Sequence, residues 1–445
     1  MTESTKNAGD LIDLDVSGVA HGGVFVARHE GRVIFVPDAL PGERIRARLV
    51  DTRKKSFWRA EALEVLDASP HRQSHVWRQA DIEFAPEQRP GGADFGHIEL
   101  AHQRELKLEV LTDSLKRFGG LDVPASIVPA TPILDGDGVV RDEETPDGTR
   151  WRTRVSLHVD ADGRVGPYAA RTHSVVHVDS YPLATEAIEQ AAKELSDGAP
   201  GRIDLVQAAD GRVRVVARPD ERAPRPRSGA NARAVREVVV ESVNGKDFKV
   251  DAVGFWQVHR LAAHSLTLAL QNALRSIQPE GAAIDPDAHH LDLYGGVGLF
   301  AATLAALGGK STRVTTVESS ARATEHAAAN LSGLSRARAE TGRVDRWLKA
   351  LQASATAADR EQLSRGVVVL DPPRAGAGRE VVQRVADLSP TAIVYVACDP
   401  VALSRDLATF REAGYETPRV DALDLFPNSH HVEAIATLTR TAAPR

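Results

Sequence analysis

From about residue 250 onward, short apolar runs alternate with alanine-rich helical stretches, and this alternation constrains the fold more than any other feature of the chain. The runs "HLDLYG", "RVTTVE", "GVVVLD", "AIVYVA" and "HVEAIATLTR" read as strands, and "VGLFAATLAALGG", "ARATEHAAANLSG" and "PVALSRDLATFREAG" read as helices. Apolar strands separated by helices predict an α/β architecture with a doubly wound, Rossmann-like parallel sheet. Ligands of such a sheet bind beyond the carboxyl ends of its strands, so the residues at those ends carry the functional argument.

The first strand runs into a glycine turn and a helix in "LDLYGGVGLFAATLA". Gly296, Gly298 and Ala301 satisfy a loose G-x-G-x-x-G/A spacing, and Glu318 ends the next strand, where a carboxylate accepts from ribose hydroxyls. That spacing points to a nucleotide-like ligand without separating NAD from S-adenosylmethionine. Asp292, just before the loop, favours the latter, because a carboxylate there suits the amino group of a methionine moiety and repels a pyrophosphate. No downstream pair looks built for hydride transfer.

Three further strand ends carry chemistry. Asp371 opens "DPPR", whose prolines lack N–H groups and hold an extended turn, with Arg374 following. Cys398, the chain's one cysteine, ends "IVYVA", and Asp399-Pro400 opens a helix as N-cap and first helical residue. The positive end of that helix favours a thiolate, whereas the adjacent Asp399 carboxylate opposes it. Glu433 begins the last strand, where apolar alternation does not ask for a carboxylate. His430 and His431 precede it, but no third ligand stands at a metal-site spacing, so no metal is expected.

These groups suit one reaction. Carbon 5 of uracil is a weak nucleophile; a thiolate adding at carbon 6 makes an enolate that attacks a sulfonium methyl group. A base then removes the carbon 5 proton so that the thiol leaves.

Upstream, residues 1–66 read as a small β-barrel, with turns at Gly22-Gly23, "HEGR" and "LPGE". Barrels of this size commonly bind oligonucleotides on a strand face. "ERIRARLVDTRKKSFWRAEAL" concentrates basic residues there, and Arg46, Lys54 and Lys55 are candidate RNA contacts, with Arg374 a candidate substrate contact. Residues 67–248 form a mixed, mainly β central domain, including a helix over about 94–120 and a Pro- and Arg-rich mobile loop at "RPDERAPRPRSGANAR". Residues 249–445 form the third domain. A net charge of −6 argues against wholesale nucleic-acid binding, so charge placement matters more than the sum. No run approaches the ~20 apolar residues of a membrane span, the N-terminus lacks a signal-peptide pattern, and the chain reads as cytoplasmic with no obligate protein partner evident.

The segments "FWQVH", "LDLYGGVGLF", "TTVESSARATEHAAANL", "LDPPRAG", "YVACDPVALSRDL" and "DLFPNSHHVEAI", in this order, resemble the 5-methyluridine RNA methyltransferases, which act on transfer or ribosomal RNA. The barrel is similar to the RNA-binding TRAM domain of some members. The resemblance implies that Gln257, Tyr294, Glu318 and Asp371 contact S-adenosylmethionine, that Cys398 is the nucleophile and that Glu433 is the base. Many members hold an iron–sulfur cluster with four cysteines; those thiols are absent here, and no cluster is expected. The family commonly has asparagine at the positions of Asp399 and His259. An amino methyltransferase acting on nucleic acid, or a non-catalytic RNA-binding protein, is the alternative reading.

Overall fold

The computed structural model describes residues 6–219, 237–277 and 284–441. The loop expected at "RPDERAPRPRSGANAR" lies largely outside them. Among the described residues, no helix is long and apolar enough to cross a membrane.

Strict alternation in Leu11–Ala20 and Arg44–Asp51 sends every second side chain inward, and five strands between Leu11 and Asp67 close into a barrel. Phe25, Ile34, Ile45 and Leu49 fill it, and Phe95, Ile98 and Leu106 plug it from the following segment. That plug explains a shifted boundary. The helix expected from about residue 94 begins at Leu100, because Phe95 and Ile98 belong to the barrel core. It ends at Gly119, and Gly120 takes the left-handed conformation (φ +57°) that closes a helix C-terminus.

The strand Ala125–Pro129 was not expected from the sequence. It pairs in parallel with Val420–Asp424 and so extends the large sheet. Residues 100–129 therefore pack with the C-terminal unit; Leu111 and Leu115 share a core with Leu403 and Leu407. The rest of the central region holds a four-stranded antiparallel sheet built on Arg154–Val159 and Gly201–Gln207.

The large sheet runs Ala337–Thr341, Arg313–Glu318, His289–Leu293, Val367–Leu370, Ala392–Ala397, Glu433–Arg440, Val420–Asp424 and Ala125–Pro129. Its first five strands are parallel, and Glu433–Arg440 runs antiparallel to its neighbours. Both faces are buried: Val367, Val369, Val394 and Val396 enter one core, and Val368, Leu370, Ile393 and Tyr395 the other. Chain order reverses between His289–Leu293 and Val367–Leu370, and the crevice of such a sheet opens at that point.

Candidate active site

On one side of the crevice the strand His289–Leu293 passes through Tyr294 (φ +65°) into the glycine turn. A Cβ at Gly295 would lie 1.9 Å from Thr316 Oγ1 and 2.5 Å from Asp292 Oδ2, so the turn is pressed against its neighbours. Gly296 (φ +53°) faces open space, and its N–H donates to Glu318 Oε2 at 3.3 Å. The Ser320 amide donates to Glu318 Oε1 at 2.7 Å. This fixes a carboxylate beside the open face of the turn.

Asp292 does not stand where the sequence reading puts it. Its side chain is fully buried behind the turn, where Oδ2 accepts from Thr316 Oγ1 at 3.0 Å and from the Ala301 amide at 3.1 Å. It ties the first strand to the next strand and to the helix that follows, and burial pushes its carboxyl up to about 6. Gly298 is likewise behind the wall, packed on Leu331 with φ +89° as the N-cap of Leu299–Gly308.

Across the crevice stand Asp371, Arg374, Cys398 and Glu433. The Asp371 amide donates to Leu293 O at 3.2 Å, which locks "DPPR" to the end of the first strand. Asp399 caps the helix Pro400–Glu412 by accepting from the Ala402 amide at 2.8 Å, which fixes Cys398 one residue earlier. Glu433 is 6% exposed and, among the described residues, its carboxyl has no hydrogen-bond partner. Burial, then the Asp371 charge, push that carboxyl well above its ordinary range, while Arg374 opposes them. The Asp371 carboxyl is raised by burial and by Asp292.

The thiol departs from the expectation of a thiolate favoured by the helix end. Burial, then Glu433, push the Cys398 thiol up to about 11, and the Arg374 guanidinium only partly offsets them. A screened half-charge at a helix terminus does not outweigh desolvation and buried carboxylates.

One cavity of about 1210 Å³ brings together Gln257, Tyr294, Gly296, Glu318, Asp371, Arg374, Cys398 and Glu433. It exceeds the roughly 300–1,000 Å³ of a single small-ligand site and has room for a nucleoside cofactor and an extruded base. The three barrel candidates lie outside it. Arg46 is ion-paired with Asp13 and Glu64, both at 3.1 Å, and Lys54 stands 4.9 Å from the Phe57 ring.

The sequence reading missed the groups that hold the Glu433 loop. Lys107, fully buried on the long helix, donates to Asp424 Oδ1 at 2.6 Å and to Phe426 O at 3.0 Å. Gln103 and Asn428 exchange hydrogen bonds at 2.9 and 2.7 Å. A lysine among Leu106, Val110 and Leu111 was the available signal. His259 is structural: its Nδ1 accepts from the Leu261 amide at 3.0 Å, and its ring stacks on Trp151.

Comparison with known proteins agrees with this geometry. Residues 281–441 match the tRNA (Uracil-5-)-methyltransferase family, and residues 6–63 match the TRAM domain. An uncharacterized RNA methyltransferase of Streptomyces avermitilis is 37% identical over 98% of this chain and 99% of its own. A 23S rRNA (uracil(1939)-C(5))-methyltransferase of a Shewanella species is 30% identical over 97% of this chain and 96% of its own. The crystal structure of Pyrococcus abyssi tRNA (uracil-54, C5)-methyltransferase in complex with S-adenosyl-L-homocysteine superposes with a TM-score of 0.62, covering 96% of this chain and 100% of that one at 21% identity, and so shares the fold. The chain belongs to the S-adenosylmethionine-dependent RNA uracil-C5 methyltransferase family.

Proposed function

We propose that the protein methylates carbon 5 of a uridine in transfer or ribosomal RNA through a covalent Cys398 adduct, with Glu433 as the base. The observation that carries this reading is the convergence of the chain's one thiol and an unpartnered buried carboxylate on one cavity, where each shifts or is shifted by the same neighbours, Asp371 and Arg374.

The cofactor side of the cavity suits S-adenosylmethionine. Glu318 keeps acceptor capacity for ribose hydroxyls, the Gly296 turn presents open backbone, and the Gln257 amide is unpaired among the described residues. Bound there, S-adenosylmethionine supplies an electrophilic methyl group to carbon 5.

The chain's own residues do the rest. Cys398 Sγ gives up its proton to solvent and bonds to carbon 6, and the carbon 5–carbon 6 π pair shifts to carbon 5 and O4. Arg374 favours the negative charge on the sulfur. After methylation, the Glu433 carboxylate takes the carbon 5 proton, the carbon 6–sulfur bond breaks, and the thiolate is restored. Its raised proton affinity makes Glu433 a stronger base than an exposed glutamate.

The test is intact-mass analysis of the protein with S-adenosylmethionine and 5-fluorouridine-substituted transfer and ribosomal RNA. Fluorine cannot leave as a proton, so a methylated adduct accumulates on Cys398 and is absent in Cys398→Ala. Methyl transfer persisting in Cys398→Ala indicates an amino methyltransferase, and cofactor binding with no adduct on any RNA indicates a binding protein.

A further inference from the structure

Three arginines alternate in "RWRTR", residues 150–154, and the structure treats them differently. Arg150 is ion-paired with Glu189, and Arg154 with Glu241 at 3.1 Å. Arg152 between them has no carboxylate partner among the described residues. Its Nε donates to the Arg154 carbonyl at 3.0 Å, and its guanidinium carbon lies 5.7 Å from the Trp151 ring centre.

Arg152 lines the large cavity. Three other arginines on that wall are neutralised within the protein: Arg322 by Asp251, Arg343 by Asp345 and Arg379 by Glu412. Arg374 touches only the His431 ring, at 3.4 Å, and is exposed. Arg152 is different in being half-buried: burial, with no acidic group opposing it, pulls its pKa down. A partly desolvated guanidinium without an anion costs free energy that a bound anion would offset. Its backbone is fixed on both sides, the amide donating to Leu183 O at 2.8 Å and the carbonyl accepting from the Thr185 amide at 3.0 Å.

Its neighbours lead toward the base-side wall. Trp151 meets Phe426 edge-on at 6.1 Å, and Phe426 meets His431 at 5.7 Å, two residues before Glu433. Glu318 beside the glycine turn, in contrast, suits a ligand with hydroxyl and cationic groups. A half-buried cation without a carboxylate partner suits a polyanion.

We propose that Arg152 binds a backbone phosphate of the RNA next to the uridine held in the cavity. This rests on the uridine reading above. Phosphate supplies the missing counter-charge, and the planar guanidinium presents paired donors to its oxygens. A sequence-independent contact placed inside the pocket would register the extruded nucleotide before Cys398 attacks.

The test uses the full chain with oligouridylate as the RNA probe and S-adenosylmethionine measured separately. Arg152→Gln is expected to weaken oligouridylate binding about tenfold at low salt and to flatten the salt dependence by about 0.7, one single-strand phosphate. Cofactor affinity should not change. Arg152→Lys, which keeps the charge, is expected to keep the slope, and it decides the matter if Arg152→Gln does not fold. A loss of cofactor affinity with an unchanged slope would assign Arg152 to the cofactor carboxylate and overturn the inference. So would two unchanged affinities, or a folded lysine variant with the flattened slope. An error in the uridine reading is distinguishable: wild-type protein would then show no protection of Cys398 from alkylation by oligouridylate.

Discussion

The imidazole of His21 lies 3.2 Å from the carboxylate of Asp399, the residue that follows the candidate nucleophile. The barrel is therefore joined to the strand end that carries Cys398. Gly23 in the same turn allows this approach, since a Cβ there would lie 2.7 Å from His430 Nδ1, and Arg171 donates to Gly23 O at 3.0 Å. His21, Cys398, Asp399 and His430 line one small cavity of about 70 Å³. RNA held by the barrel would arrive beside the thiol.

Asp399 also caps the helix behind Cys398, and its two roles separate by substitution. Burial pushes its carboxyl up, but His21 and the Ala402 amide outweigh this and hold it below its ordinary range. Asp399→Ala is expected to destabilise the protein by about 1 kcal/mol through loss of the cap, whereas Asp399→Asn, an equally good N-cap, should stay near wild type in thermal unfolding. Equal losses in both variants would mean that the His21 contact, not the cap, carries the stability.

Glu433→Gln is expected to lower turnover by about 10²–10⁴-fold and to let the methylated adduct accumulate on unsubstituted RNA, visible by intact mass. The same variant has a stability signature. The folded-state pKa of Glu433 lies well above its ordinary 4.5, so between those values the folded protein holds a proton that the unfolded chain has lost. Wild-type stability therefore falls as pH rises through that window. Glutamine cannot ionise, so the variant should gain in melting temperature relative to wild type as pH rises. A gain that shrinks with pH would contradict the buried, raised carboxyl.

Much of this site was legible because strand ends announce themselves: Asp371, Cys398 and Glu433 each follow or open an apolar run, and the doubly wound sheet brings such ends together. Asp292 was misplaced because position along a strand does not reveal on which side of the turn a side chain falls; Thr316 and the Ala301 amide decide that. Lys107 and the strand Ala125–Pro129 were invisible as parts of the site because their partners, Asp424 and Val420–Asp424, lie about three hundred residues away in sequence. Arg152 was hidden among arginines identical in type, and only their counterions distinguish them.

The barrel arginine and lysines should likewise separate. Arg46 is neutralised by Asp13 and Glu64, so Arg46→Gln is expected to leave the salt dependence of RNA binding nearly unchanged. Lys54 and Lys55 have no carboxylate partner among the described residues, and neutralising both should flatten the slope by up to about 1.4 if each meets a phosphate. The reverse pattern in a binding titration would place the RNA on the Arg46 face.

Within the glycine turn, Gly295→Ala and Gly296→Ala are expected to differ. A Cβ at Gly295 meets Thr316 Oγ1 at 1.9 Å and must move the turn, with loss of cofactor binding in calorimetry. At Gly296 the space is open, and the cost is the left-handed backbone, about 1 kcal/mol. Cofactor binding preserved in Gly295→Ala would show that the turn does not have to be pressed against Thr316.

The reactivity of Cys398 tests the electrostatic account most directly. The thiol is raised to about 11 by burial first and Glu433 second, with Arg374 acting the other way. Alkylation by iodoacetamide requires the thiolate, so in wild type its rate should rise about tenfold per pH unit from pH 7 toward that value. Arg374→Gln removes the opposing cation, and at pH 8 should slow alkylation by roughly threefold, a modest effect because Arg374 is exposed and screened. At pH values where Glu433 is ionised, Glu433→Gln removes a charge that raises the thiol and should speed alkylation. The two substitutions act on one sulfur with opposite signs, which a general loosening of the pocket cannot produce, since loosening would speed both. Faster alkylation in Arg374→Gln would therefore remove Arg374 from the activation of the thiol.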